Sequence, residues 1–213
     1  MCVSFSLQPQ PVRLFVSVCV FFELVSLVCL LLGLGDSMRN FLIATGGFWP
    51  DLLKGASPIY PGQPILMFAT SAILHGGPLH FFMNMLALIW LGPIIVNRLG
   101  SHAFWLIAGL STLGAGGLYT ALSGPAGIPA VGASGVLFGF LGTVAIWQML
   151  DQRTRGENLM PLLQHGIALL SINVALTLSN LSAIAWEAHL GGFLAGVLCG
   201  LRTWRRPFSS RWT

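Results

Sequence analysis

The chain has 213 residues, of which 55% are hydrophobic and only 8% charged, with a mean hydropathy of +0.81. A soluble domain carries about 25% charged residues to cover its surface, so this composition excludes one and points to an integral membrane protein, with room for about six spans of roughly 20 residues in a single helical domain. The formal net charge of +4 does not call for a nucleic-acid partner, because the arginines sit at the ends of apolar segments, where they set orientation.

Residues 1–11 are polar, carry Pro9 and Pro11, and are expected as a short cytoplasmic N-terminus, followed by a membrane domain over 12–204 and a basic cytoplasmic tail over 205–213. The first span is predicted at 12–35. Its apolar run exceeds that of a signal peptide and no small-x-small cleavage pattern follows, so it reads as a retained helix. Glu23, in the middle of it, would be costly facing lipid and is expected to meet a polar partner inside the bundle. Gly33-Leu34-Gly35-Asp36 has the spacing of an aspartyl intramembrane protease motif. That chemistry needs a second aspartate within the membrane, whereas Asp51 and Asp151 fall in predicted loops. A glycine-terminated helix end is the simpler reading.

Residues 36–77 are predicted as a long loop whose Phe41, Phe48, Trp49 and Leu53 suit a segment lying partly at the membrane interface. A connection of that length points to function. The second span is expected over 78–97 with a kink at Pro93, and the third over 102–122, rich in glycine. His80 and Asn84 share one face of the second span, and His75 precedes them. Zinc peptidase spacing is His-Glu-x-x-His; no carboxylate lies near these residues, and no metal site is expected. His102, at a membrane edge, is assigned no chemistry. A turn-rich loop over 123–131 leads to a fourth span at 133–150, opened by Gly132-Ala133-Ser134-Gly135. A charged loop is predicted over 151–158, a fifth span over 159–178 containing a structural His165, a connection over 179–187, and a sixth span over 188–204. Cys19, Cys29 and Cys199 lie within apolar segments and Cys2 outside one, a pattern that gives no disulfide framework.

A serine hydroxyl is a poor nucleophile until a base lies within hydrogen-bond reach and donors face the oxyanion that forms after attack. Ser134 and His189 stand in apolar helices, where polar and ionisable groups mark function. They are 55 positions apart, so only packing of the fourth span on the sixth can join them. Small residues let membrane helices approach closely. Gly135 and Gly139 supply one such edge, and Gly192, Gly196 and Gly200 supply the other, with His189, Gly192 and Gly196 on a single face. With a cytoplasmic N-terminus, Arg13, Arg98, Arg153, Arg155 and the four arginines from Arg202 onward face the cytoplasm, leaving Arg39 and Lys54 outside. The positive-inside rule selects this orientation, and it puts the starts of spans four and six at the outer leaflet. A small transporter would favour a repeat relating two halves, and none is evident.

Three motifs in this order, Gly132-Ala133-Ser134-Gly135, His75-x4-His80-x3-Asn84 and Ala188-His189-x2-Gly192-x3-Gly196, closely resemble those of the rhomboid family of intramembrane serine proteases over residues 60–200. The resemblance implies an all-α fold of six transmembrane helices and a Ser–His dyad without a third acid. It implies cleavage of other proteins' transmembrane segments near the extracytoplasmic surface, with no cofactor. Ser134 would be the nucleophile and His189 the base. His80, Asn84 and the Ser134 N–H would form the oxyanion hole, with His75, Gly132, Gly135, Phe138, Gly192 and Gly196 in support. Transmembrane proteins and membrane lipids are the expected partners, in a bacterial-type inner (plasma) membrane with both termini cytoplasmic. The alternative is a catalytically inactive rhomboid-like protein that binds transmembrane helices. The chain departs from the family where many members carry Trp-Arg, here Leu66-Met67; where many carry Glu, here Val96; and where many carry Tyr, here Phe138.

Overall fold

The first predicted span forms helix α1, Gln10–Cys29, which continues through a π turn at Leu30–Leu34. It stops where Gly33 and Gly35 adopt positive φ angles of 79° and 59°. The computed structural model describes residues 7–123, 128–160, 164 and 185–205, and all regular structure among them is helical. After α1 come α2 (Ser37–Gly46), α3 (Pro50–Leu53), α4 (Gln63–Thr70), α5 (Pro78–Leu99), α6 (Ser101–Leu122), α7 (Ser134–Arg155) and α8 (Trp186–Thr203).

Among the described residues, four helical stretches, Gln10–Leu34, Pro78–Leu99, Ser101–Leu122 and Ser134–Arg155, are long and apolar enough to cross a membrane. The first three carry exposed Phe21, Leu31, Trp90 and Leu113, an apolar surface of the kind that only lipid or a partner covers. The sixth expected span is present as α8. It does not stand among those four, since Glu187, His189, Arg202 and four glycines lower its hydropathy. The fifth, with His165, lies almost wholly outside the described residues.

Several boundaries differ from expectation. The helix α7 continues past 150 to Arg155, because nothing between Asp151 and Arg155 breaks a helix. Gly156 then ends it in a left-handed conformation (φ 66°, ψ 22°). Trp186 and Glu187 belong to α8 rather than to the preceding connection. The helix α5 runs on to Leu99, two residues beyond the expected end, with Pro93 inside it.

No helix in the stretch 36–77 is long enough to cross a membrane, but the stretch is largely helical rather than a loop. Its first helix, α2, would end with unsatisfied carbonyls. Trp49 Nε1 donates to the carbonyls of Ile43 and Ala44 at 3.2 and 3.1 Å. Tyr60 Oη donates to Thr45 at 2.9 Å, and Thr70 Oγ1 to Gly46 at 2.7 Å. These side chains fold the segment back on itself. The pairing of Phe48 with Ala130 through two backbone hydrogen bonds, 2.8 and 2.9 Å, then fastens it beside the start of α7.

The main core lies between α1, α5, α6 and α7, with Val12, Leu88, Ile95, Phe104 and Phe140 fully buried. At the end of α7 away from Ser134, Arg98 donates to the Trp204 carbonyl at 2.8 Å and covers the Trp147 ring, while Trp204 Nε1 donates to Asp151 at 2.6 Å. Val96 is buried in the apolar core beside this cluster.

Candidate active site

Among the described residues, α7 and α8 share the most extensive contact of any two helices. A β-carbon at Gly192 would run into the Gly135 carbonyl, one at Gly196 into the Gly139 carbonyl, and one at Gly200 would stand 2.9 Å from the Thr143 carbonyl. Residues 135, 139 and 143 thus face 192, 196 and 200 in turn, so the helices run parallel with backbones in contact. Thr143 Oγ1 donates to the Gly196 carbonyl at 2.9 Å, and Trp147 Nε1 to the Gly200 carbonyl at 3.1 Å. The helix α6 completes the wedge, since a β-carbon at Gly114 would stand 2.6 Å from the Gly191 carbonyl, and one at Gly139 would collide with Ser111.

That register brings the two distant residues together. His189 Nε2 and Ser134 Oγ are 2.9 Å apart, a full-strength hydrogen-bond distance. Both side chains are partly exposed. Phe138 lies flat on the His189 ring with centroids 4.3 Å apart and planes 11° from parallel. Ser134 is the first residue of α7, with Ala133 in the capping position. The backbone N–H groups of this first turn have no acceptor within the helix and stand at its positive end, a ready site for an anion.

Gly132 makes room for the second group of side chains. Its φ of +125° is one that residues with a β-carbon rarely adopt. A β-carbon built there would stand 2.8 Å from His80 Nε2 and 3.7 Å from Ser134 Oγ. The His80 ring and the serine hydroxyl therefore share the space the glycine leaves open. Asn84 is buried on the same helix one turn on. Among the described residues its hydrogen-bond partner is the His80 carbonyl, which it reaches through Nδ2 at 2.7 Å, leaving its second amide proton uncommitted. His75 is held against the His80 side of the site. Its ring stands edge-on to those of His80 and Phe81, each 5.4 Å away. Burial, with His80 and Arg39 adding to it, pushes the His75 imidazole down from its ordinary 6.5 to about 3, so it is neutral at physiological pH. No cluster of metal-ligating side chains occurs among the described residues.

Sequence reasoning missed two contributors. Ser111, fully buried with its hydroxyl bonded to the Ile107 carbonyl, fills the gap opposite Gly139. Arg39 reaches back to α1 and to the His75 carbonyl. A cation beyond one span and an acid within it was the available signal.

Residues 63–206 match the Rhomboid domain family. The chain belongs to the rhomboid family. Among its curated relatives, "RHOMBOID-like protein 1" of Arabidopsis thaliana is 37% identical over 134 residues, 63% of this chain and 33% of that protein. "RHOMBOID-like protein 5" of the same plant is 35% identical over 135 residues, 63% of this chain and 42% of that protein. "Putative rhomboid protease YdcA" of Bacillus subtilis is 31% identical over 163 residues, 74% of this chain and 79% of that protein. The matched part of this rhomboid chain spans only a third to two fifths of the length of the plant relatives. The rhomboid match includes α4 to α8, and so Ser134, His189, His75, His80, Asn84 and Phe138, while Arg39 precedes it.

Proposed function

We propose that this rhomboid is an intramembrane serine protease that cleaves transmembrane segments of other membrane proteins. The observation that carries the reading is the 2.9 Å contact between Ser134 Oγ and His189 Nε2, made at the positive end of a helix.

The chemistry follows from those positions. Ser134 Oγ attacks the scissile carbonyl carbon as His189 Nε2 accepts its proton, and the carbonyl π electrons move onto oxygen. The resulting oxyanion is stabilised by the Ser134 N–H, His80 and Asn84, groups fixed before the charge develops. Collapse of the tetrahedral intermediate expels the amine, which takes the proton from His189. Water, deprotonated by the same imidazole, then releases the acyl group from Ser134. The dyad has no acid in its motif, and the stacked Phe138 ring supplies the orientation that a carboxylate gives in a triad.

The site is read as opening to the extracytoplasmic side of a bacterial-type plasma membrane, with both termini cytoplasmic. This orientation is supported by the eight arginines that it puts on the cytoplasmic side against Arg39 and Lys54 outside.

Cleavage of a model transmembrane substrate in detergent tests the assignment. Ser134→Ala and His189→Ala are expected to abolish it while leaving melting temperature nearly unchanged. Turnover by Ser134→Ala at more than a few per cent of wild type contradicts it.

A further inference from the structure

Glu23 lies in the middle of α1, an expensive place for a carboxylate. Arg39, on α2, covers it. Arg39 Nη1 donates to Glu23 Oε2 at 3.0 Å and Nη2 to Oε1 at 2.8 Å, while Nη1 also donates to the His75 carbonyl at 2.7 Å. The two side chains are only 11% and 10% exposed. The cavity beside them, lined by Ser26, Leu74 and His75 among others, has a volume of about 10 Å³, room for about one water.

A buried ion pair is weak evidence for stability, because apolar residues of similar volume often replace one at no loss. The third hydrogen bond makes this pair informative. Its acceptor is the carbonyl of His75, and only Gly76 and Gly77 separate that residue from Pro78, the first residue of α5. Two glycines leave this approach free to vary unless something fixes it. The His75 ring gives it little hold, since neither buried nitrogen has a partner at full hydrogen-bond geometry among the described residues. One turn further on, His80 meets Gly132 and the space beside Ser134.

The stretch 36–77 contains only one other cation, Lys54, and it bonds to Ser123 at 2.9 and 3.0 Å. The buried Met67 and the exposed Leu66 have no polar group with which to tether the segment. Arginine suits the task because its planar fork meets a carboxylate with two parallel bonds while a further N–H remains for a carbonyl. A lysine ammonium cannot reproduce that arrangement.

We propose that Arg39, anchored by Glu23, is a positioning residue for the oxyanion side of the site, fixing the His75 carbonyl and thereby where α5 begins and where the His80 ring meets Ser134. The inference rests on the protease reading above. It assigns Glu23 a role in turnover exerted through the chain rather than through a proton.

The test compares wild type with Arg39→Lys and with the double variant Glu23→Leu/Arg39→Met, measuring kcat and KM for a transmembrane substrate together with melting temperature. The double variant removes both charges at once, so it leaves no orphaned ion and is expected to fold with a melting temperature close to wild type. Its kcat is expected to fall by roughly ten- to a hundredfold at unchanged KM, the signature of lost geometry in the transition state. Arg39→Lys is expected to show a smaller loss of the same kind. Wild-type kcat in the folded double variant, or a loss confined to KM, overturns the inference. Should the double variant not fold, unchanged kcat in Arg39→Lys overturns it and a fall in kcat at constant KM supports it. Inactive wild type overturns the protease reading and the inference with it, whereas active wild type alongside an equally active variant overturns the inference alone.

Discussion

Phe138 stacks on the imidazole of His189 at 4.3 Å, and that contact separates an orienting role from ordinary core packing. If the stack fixes the base, Phe138→Tyr keeps the ring and leaves kcat nearly unchanged. Phe138→Leu keeps apolar volume but loses the flat face, and its kcat falls as His189 gains rotational freedom. Kinetics and melting curves for both variants decide the matter, since unchanged kcat in Phe138→Leu reduces Phe138 to packing. At this scale the sequence was informative wherever residues share a helix face. Ser134 and Phe138 are four apart, as are His80 and Asn84, and helical spacing aligns each pair. It was silent where the contact depends on a chain reversal. Glu23 visibly needed a partner, but Arg39 lies 16 positions on, past the π turn and the two positive-φ glycines that turn the chain back, and no periodicity encodes that path. Asn84 shows the same limit: its position was legible, its bond to the His80 carbonyl was not.

Between elements, the glycines of α7 and α8 set how close His189 comes to Ser134. A methyl group at Gly196 would strike the Gly139 carbonyl, which has no side-chain freedom with which to yield. Gly196→Ala is therefore expected to cost about 1–3 kcal/mol, the usual range for overpacking, and to lower activity further by separating Ser134 from His189. Gly117→Ala provides the control, because a β-carbon there meets nothing within 4 Å and replaces a helical glycine with a better helix former. Thermal denaturation and turnover of the two variants should diverge, and equal effects would contradict the packing account. This interface was legible because small residues four apart define a seam. The helices within 36–77 were not, because Gly46, Gly47, Pro50 and Pro58 cut the apolar pattern into pieces too short to show a period. Side chains arriving from up to 24 positions away, such as Thr70 on the Gly46 carbonyl, hold those pieces in place.

For the molecule as a whole, composition alone fixed the class, since so few charged residues cannot cover a soluble surface. The four apolar helices agree with it. Orientation is the remaining whole-molecule property, and it determines which compartment the Ser134–His189 pair faces. In a background free of the four native cysteines, a cysteine at the exposed Ser57 position is expected to react with an impermeant maleimide added outside intact cells. One at the exposed Glu157 position is expected to react only after permeabilisation. The reverse pattern would invert the topology and put the site at the cytoplasmic face.

The central claim is that Ser134 is a nucleophile activated by His189 within the bundle. Its most direct test needs no knowledge of the substrate: detergent-solubilised protein is incubated with a fluorophosphonate probe and the modified residue is mapped by mass spectrometry. Labelling is expected on Ser134 in the wild type and absent in both Ser134→Ala and His189→Ala. Folded wild type that resists the probe, or equal labelling in His189→Ala, would contradict it.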